Sequence, residues 1–138
     1  TSSRRQRQMC IRDSAWIVGN RAALGSVLQN LLDNAFATGP DTRARLDAWT
    51  CSDQVSIRCR DTGPDVSATA RHHLFDPFFT TRTDGTGIGL PIARAIVESH
   101  GGTLTYVPPA QRVSERGGVW CGAEFLIELP RHAESTSE

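Results

Sequence analysis

Three glycines at alternate positions, Gly85, Gly87 and Gly89, stand directly before an apolar helical pattern. Without Cβ atoms, successive backbone N–H groups at a helix N-terminus can approach an anion closely, and the helix dipole adds positive charge there. Phosphate is the natural ligand of such a site. A plain flexible connector is the alternative interpretation, because short glycine repeats are common.

Two asparagines, Asn30 and Asn34, are four residues apart in the first helical pattern of the chain. At about 100° per residue they lie about 40° apart on one flank of the apolar stripe, so both amides face the same place. Amide oxygens are hard ligands of the kind that Mg²⁺ accepts beside phosphate oxygens and water. The alternative is a pair of solvated surface amides, although asparagine is a mediocre helix former.

Asp61 stands at the end of a strand pattern, directly before Thr62-Gly63-Pro64. An ionised carboxylate only accepts hydrogen bonds, so it can receive one from an exocyclic amine such as that of adenine. The alternative is that Asp61 simply starts a turn.

The elements that position these residues follow from the periodicity of apolar residues. Asn20 is a candidate N-cap for a helix whose apolar stripe runs from Leu24 to Phe36 and is ended by Gly39-Pro40. A second long helix starts near Leu90 and is closed by glycines. The remaining patterns are strands at residues 15 to 19, 44 to 51, 54 to 60, 103 to 107 and 123 to 130, and a short helix capped by Ser67.

This order predicts an α+β fold, a two-layer α/β sandwich in which three helices cover one face of a mixed, mainly antiparallel sheet. We expect the domain itself to span residues 15 to 130. Residues 1 to 14 are expected to be a tail or the end of a linker from a preceding domain, and residues 131 to 138 a disordered C-terminal tail.

Composition excludes several classes of function. All 15 basic residues are arginine, so a P-loop and Schiff-base chemistry, which both need lysine, are excluded. The net charge of zero gives no basic excess for a nucleic-acid partner. The four cysteines show no metal-ligand spacing, and no apolar run is long enough to span a membrane. The glycine spacing is not that of a dinucleotide-binding fold. We therefore expect a soluble, cytoplasmic domain without direct membrane contact.

Four motifs, in this order, resemble those of one family. "LQNLLDNA" resembles the N box, "DTGP" the first glycine box, "LFDPFFTTR" the F box, and "GTGIGLPIARAIVESHGG" the second glycine box of the catalytic and ATP-binding domain of bacterial sensor histidine kinases. These kinases share the Bergerat fold with gyrase, heat-shock chaperone and mismatch-repair ATPases. The resemblance covers roughly residues 15 to 130 and implies a short flexible lid between the F box and the second glycine box.

The resemblance also implies a Mg²⁺-ATP site. Asn30, Asn34 and Arg82 would be its catalytic residues, and Asn34 would bind the Mg²⁺ ion. ATP would be contacted by Asn30, Asn34, Asp61, Gly63, Phe78, Thr81, Arg82, Gly85, Thr86, Gly87, Ile88, Gly89 and Leu90. The implied reaction transfers the γ-phosphoryl group to a histidine on a helical phosphoacceptor domain outside this sequence, which in turn serves a response regulator.

Departures from the family pattern keep other functions open. Hydrolytic ATPases and serine kinases of this fold place a glutamate base four residues before the magnesium-binding asparagine, whereas Asn30 stands there and cannot take a proton. That residue favours transfer to histidine. Asp65 replaces the usual second glycine of the first glycine box, and Ala123 stands where a threonine is common. Because either change can weaken ATP binding, a degenerate, non-catalytic module of the same fold is the alternative.

Overall fold

The computed structural model describes residues 17–79, 89–113 and 118–132. Within these ranges the elements are α1 (Arg21–Phe36), β1 (Ala44–Cys51), β2 (Gln54–Asp61), α2 (Ala68–Arg71), α3 (Gly89–Ser99), β3 (Thr103–Tyr106) and β4 (Glu124–Pro130). A turn of 3₁₀-helix, Pro109–Gln111, lies between β3 and β4. No helix in this part of the chain has both the length and the apolar character needed to cross a membrane.

The strands form one sheet in the order β1-β2-β4-β3, and each neighbouring pair is antiparallel. The hairpin of β1 and β2 and the pairing of β3 with β4 are as predicted. Helices α1 and α3 pack on each other, and α1 contacts β1 and β2 while α3 contacts β3. The α+β two-layer class is therefore confirmed.

The helices form where the apolar pattern places them. The Asn20 side chain accepts a hydrogen bond from the backbone N–H of Ala23 at 3.0 Å, which confirms the predicted N-cap of α1. Val27, Leu31 and Ala35 are buried and four residues apart, so one face of α1 joins the core with Ala93 and Val97 of α3. On the sheet side the core is completed by Cys59, Leu104, Phe125, Ile127 and Leu129.

One predicted strand is not found. Residues 17 to 19, the described part of the segment at 15 to 19, are not in a strand, and the described sheet is antiparallel rather than mixed. Ile17 packs against the core, and the backbone N–H of Asn20 donates to Nε2 of His100 at 2.9 Å. The segment is thus held by a side chain at the end of α3 instead of by a neighbouring strand, which β-propensity alone does not reveal.

The chain beyond β4 is tied down at its first residue. The Arg131 backbone N–H donates to the carbonyl of Asp53 at 2.7 Å, in the turn of the β1–β2 hairpin. Arg131 is therefore anchored to the hairpin, and residues 133 to 138 of the predicted tail lie outside the described part of the chain.

Candidate functional site

A cavity of about 540 Å³ lies between α1, the end of β2, α2 and the first residues of α3. Small-molecule sites in proteins have volumes of about 300–1,000 Å³, and a mostly apolar lining with a few polar groups is typical of them. The apolar lining includes Leu31, Ala70, Leu74, Phe79, Leu90 and Phe125. The polar side chains that line the cavity include Asn30, Asn34, Asp61 and Asp65. Three of the residues predicted to form a site, Asn30, Asn34 and Asp61, thus line one cavity.

The two asparagines of α1 form part of one wall of the cavity. Both are half-buried, whereas their neighbours Gln29 and Asp33 are exposed and hydrogen-bond each other at 2.8 Å. The Asn30 amide nitrogen donates to the backbone carbonyl of Gly89 at 3.3 Å, which joins α1 to the first residue of α3. This bond sets the orientation of the Asn30 side-chain amide, with its nitrogen toward Gly89. Asn30 is therefore tied to α3, and Asn34 is a half-buried residue of the same cavity wall.

Asp61 lines the cavity and is buried, with 4% of its surface exposed. Its Oδ1 atom accepts hydrogen bonds from the backbone N–H groups of Gly63 at 2.9 Å and Ala123 at 3.3 Å. Burial raises the pKa of this carboxyl group above its ordinary value, and the two backbone N–H groups act in the opposite direction. No described residue donates a hydrogen bond to its Oδ2 atom. One oxygen thus fixes the side chain, and the other remains as an acceptor.

The loop before β4 packs directly on Asp61. A Cβ atom on Gly122 would overlap Oδ1 of Asp61 and would lie 2.6 Å from the carbonyl oxygen of Gly63, so only glycine fits there. The Gly122 backbone N–H donates to the Asp61 carbonyl at 3.0 Å. Ala123, which lacks the hydroxyl of a threonine, still contributes its backbone N–H to the carboxylate. The backbone therefore supports Asp61 whatever the side chain at position 123.

The carboxylate of Asp65 does not stand alone in the cavity wall. It accepts hydrogen bonds from the Tyr106 hydroxyl at 2.6 Å and from Nη2 of Arg112 at 3.1 Å, and Arg71 approaches it at 3.5 Å. Two guanidinium groups therefore offset its charge. Asp65 thus contributes a paired carboxylate, not an isolated charge, to the cavity wall.

The sequence of this chain matches a known family and known sensor proteins. Residues 19–133 match the model of the family described as histidine kinase-, DNA gyrase B- and HSP90-like ATPase. The chain belongs to this family. It is 31% identical over 129 residues to the sensor protein ChvG of Rhizobium meliloti (strain 1021), a match that covers 86% of this chain and 21% of ChvG. The chain thus spans about a fifth of the length of that curated relative.

Solved structures of sensor kinases have the same fold. The mycobacterial sensor histidine kinase MprB superposes with a TM-score of 0.70 and 26% identity, covering 84% of this chain and 77% of that one. Full-length ShkA in complex with AMPPNP superposes with a TM-score of 0.68 and 27% identity, over 87% of this chain and 24% of ShkA. These likenesses confirm the resemblance to histidine kinase catalytic domains within the ATPase family.

Apart from Phe78, the predicted site residues fall into three groups. Asn30, Asn34, Asp61, Gly89 and Leu90 all line the cavity. Gly63 does not line it but supports Asp61 through its N–H group. The predicted contacts Thr81, Arg82, Gly85, Thr86, Gly87 and Ile88, together with the lid, lie outside the described residues.

The F-box phenylalanine at the cavity is not the predicted one. Phe78 is 77% exposed with a φ of 68° and is not among the lining residues, whereas the next residue, Phe79, lines the cavity. Two adjacent phenylalanines in a turn point to different sides, and the sequence pattern does not show which one turns inward. The structure thus gives Phe78 no support as a nucleotide contact.

Proposed function

We propose that this chain binds Mg²⁺-ATP and transfers the γ-phosphoryl group to a histidine on a separate helical domain, as the catalytic domain of a sensor histidine kinase. The observation that carries this proposal is that the buried Asp61 lines the same cavity as Asn30 and Asn34. The phosphorylated histidine would then serve a response regulator. ShkA, which has the same fold over this region, has been solved with AMPPNP bound, and this supports an adenine nucleotide as the ligand.

Adenine recognition is assigned to Asp61. Its Oδ1 atom is already occupied by two backbone N–H groups, so its Oδ2 atom is the acceptor available for the 6-amino group of adenine. Guanine carries a carbonyl oxygen at the corresponding position, which would face a carboxylate oxygen with no proton between them. The apolar lining, including Leu74 and Phe125, suits a planar base.

The asparagines fit a magnesium ion held jointly with phosphates. The Asn34 amide offers a neutral oxygen of the kind Mg²⁺ takes beside phosphate oxygens and water, and Asn34 is the proposed ligand. The Asn30 amide nitrogen donates to the Gly89 carbonyl, and the Asn30 Oδ1 atom also lies near Gly89 at the start of α3. Bound there, the ion would neutralise charge between the β- and γ-phosphates.

The residues around the cavity favour transfer over hydrolysis. Position 30, where related ATPases and serine kinases carry a glutamate base, is an amide that cannot accept a proton. Asp61 is assigned to the adenine ring, and Asp65 is paired with Arg112. A histidine imidazole is already a nucleophile and needs no such base. We therefore assign the acceptor to a histidine outside this chain.

A nucleotide titration tests the binding part of the proposal. We expect ATP to bind this chain with an affinity that rises on addition of Mg²⁺, and GTP to bind at least about tenfold more weakly because it lacks the amine that Asp61 recognises. Calorimetry with ATP and GTP, each in Mg²⁺ and in EDTA, measures all four affinities. A folded chain that binds neither nucleotide would establish the non-catalytic alternative instead.

A further inference from the structure

Arg112 donates hydrogen bonds to four groups next to the cavity but does not line the cavity itself. It follows the 3₁₀ turn between β3 and β4, and only 12% of its side chain is exposed. Its Nε donates to the Val107 carbonyl at 2.9 Å, its Nη1 to the Gly122 carbonyl at 2.7 Å, and its Nη2 to Asp65 at 3.1 Å and to the Tyr106 hydroxyl at 3.0 Å. A planar guanidinium is the side chain that can hold several acceptors in fixed directions.

The contact of Arg112 with Gly122 connects it to Asp61 through a single peptide unit. The carbonyl that Arg112 holds and the N–H that Asp61 accepts belong to the same peptide unit, between Gly122 and Ala123. A cation at the carbonyl end polarises the peptide and strengthens the hydrogen bond that its N–H group donates. It also fixes the plane of that peptide, and therefore the direction from which the Ala123 N–H group approaches Asp61. Arg112 thus acts on Asp61 through one peptide bond.

We propose that Arg112 is a positioning residue for adenine recognition, which holds the Asp61 carboxylate in its acceptor orientation through the Gly122–Ala123 peptide. The inference rests on the proposed nucleotide site. Asp65 contributes to this arrangement, because it binds Nη2 of Arg112 while Nη1 holds the Gly122 carbonyl. The acidic residue at this glycine position is therefore paired with Arg112, and the two form one unit that supports the base pocket.

The charges around Asp61 give the proposal a second readout. Of the charged neighbours, Arg112 lowers the pKa of the Asp61 carboxyl group and Asp65 raises it. The buried thiol of Cys59, whose pKa is raised to about 11, stays neutral beside it. Because only the ionised carboxylate is purely an acceptor, ATP affinity falls as the pH drops through the Asp61 pKa. Removing Arg112 raises that pKa further, so the fall in affinity moves to higher pH.

The test compares ATP with the triphosphate of purine riboside, which lacks only the 6-amino group. Arg112→Gln should weaken ATP binding by about tenfold and leave the affinity for purine riboside triphosphate within about twofold, because only the amine contact depends on Asp61. The matched control is Arg71→Gln, which removes a guanidinium 3.5 Å from Asp65 but has no contact with Gly122. That variant should keep the parent's preference for ATP and its pH profile.

Each outcome decides one claim. A parent chain that binds neither triphosphate contradicts the proposed function, whatever the variants do. A parent that prefers ATP, with an Arg112→Gln variant that is folded by circular dichroism and keeps the same preference and pH profile, overturns the positioning role. If Arg112→Gln does not fold, Arg112→Lys replaces it, because lysine keeps the charge but cannot hold the four acceptors together. Its preference for ATP should still fall, and an unchanged preference would equally contradict the inference.

Discussion

Asp61→Asn is expected to weaken ATP binding by about 30- to 150-fold, or about 2–3 kcal/mol, with the fold intact. The asparagine oxygen takes the place of Oδ1, because the N–H groups of Gly63 and Ala123 require an acceptor there. The amide nitrogen then takes the place of Oδ2 and faces the adenine amine, so that two donors meet in a buried site. Calorimetric titration with ATP measures the loss.

The control for Asp61 is an aspartate that does not line the cavity. Asp53 is exposed in the turn between β1 and β2, so Asp53→Asn makes the same chemical change without altering the site. Its ATP affinity should equal that of the parent. An Asp61→Asn variant that binds ATP as tightly as Asp53→Asn would show that Asp61 is only a turn residue.

Asn34→Ala is expected to abolish phosphoryl transfer while it leaves nucleotide binding in EDTA about as strong as in the parent. The proposed Mg²⁺ ion is held jointly by the protein and the phosphates, so the loss of one ligand affects the metal and not the base pocket. The metal also neutralises charge between the β- and γ-groups during transfer, which is why transfer should suffer more than binding. The gain in ATP affinity on addition of Mg²⁺ should disappear.

Two further variants sharpen this test. Asn34→Asp keeps an oxygen at the same reach and adds charge, so part of the Mg²⁺ dependence should survive. Gln29→Ala changes an exposed amide on the same helix and should leave binding and transfer unchanged. Full Mg²⁺-dependent binding and transfer by Asn34→Ala would show that the asparagine does not bind the metal.

The sequence predicted those parts of the fold and site that depend on local spacing. The apolar stripe of α1, its cap at Asn20, and the joint placement of Asn30 and Asn34 all follow from the helical period, and the structure has each of them. The hairpin of β1 and β2 is likewise local, since the two alternating runs are separated by a two-residue turn.

Features that depend on distant contacts were not predictable from the sequence. The segment before Asn20 has strand composition, but the group that holds it is His100, 80 residues away. Arg112 lies in a stretch with no periodic pattern, and its partner Asp65 is 47 residues away. A pairing of this kind has no local signature in the sequence, because any of the arginines could be the partner of Asp65 until the fold brings one of them beside it.

Phosphoryl transfer to a histidine tests the central claim most directly. The chain is incubated with Mg²⁺ and ATP labelled at the γ-phosphate, together with the proposed helical phosphoacceptor domain. We expect label on that domain that is labile to acid and stable to alkali, as phosphohistidine is, and no label when the acceptor histidine is replaced by glutamine. Release of free phosphate at the same rate with and without the acceptor domain, and no labelled protein, would contradict the account.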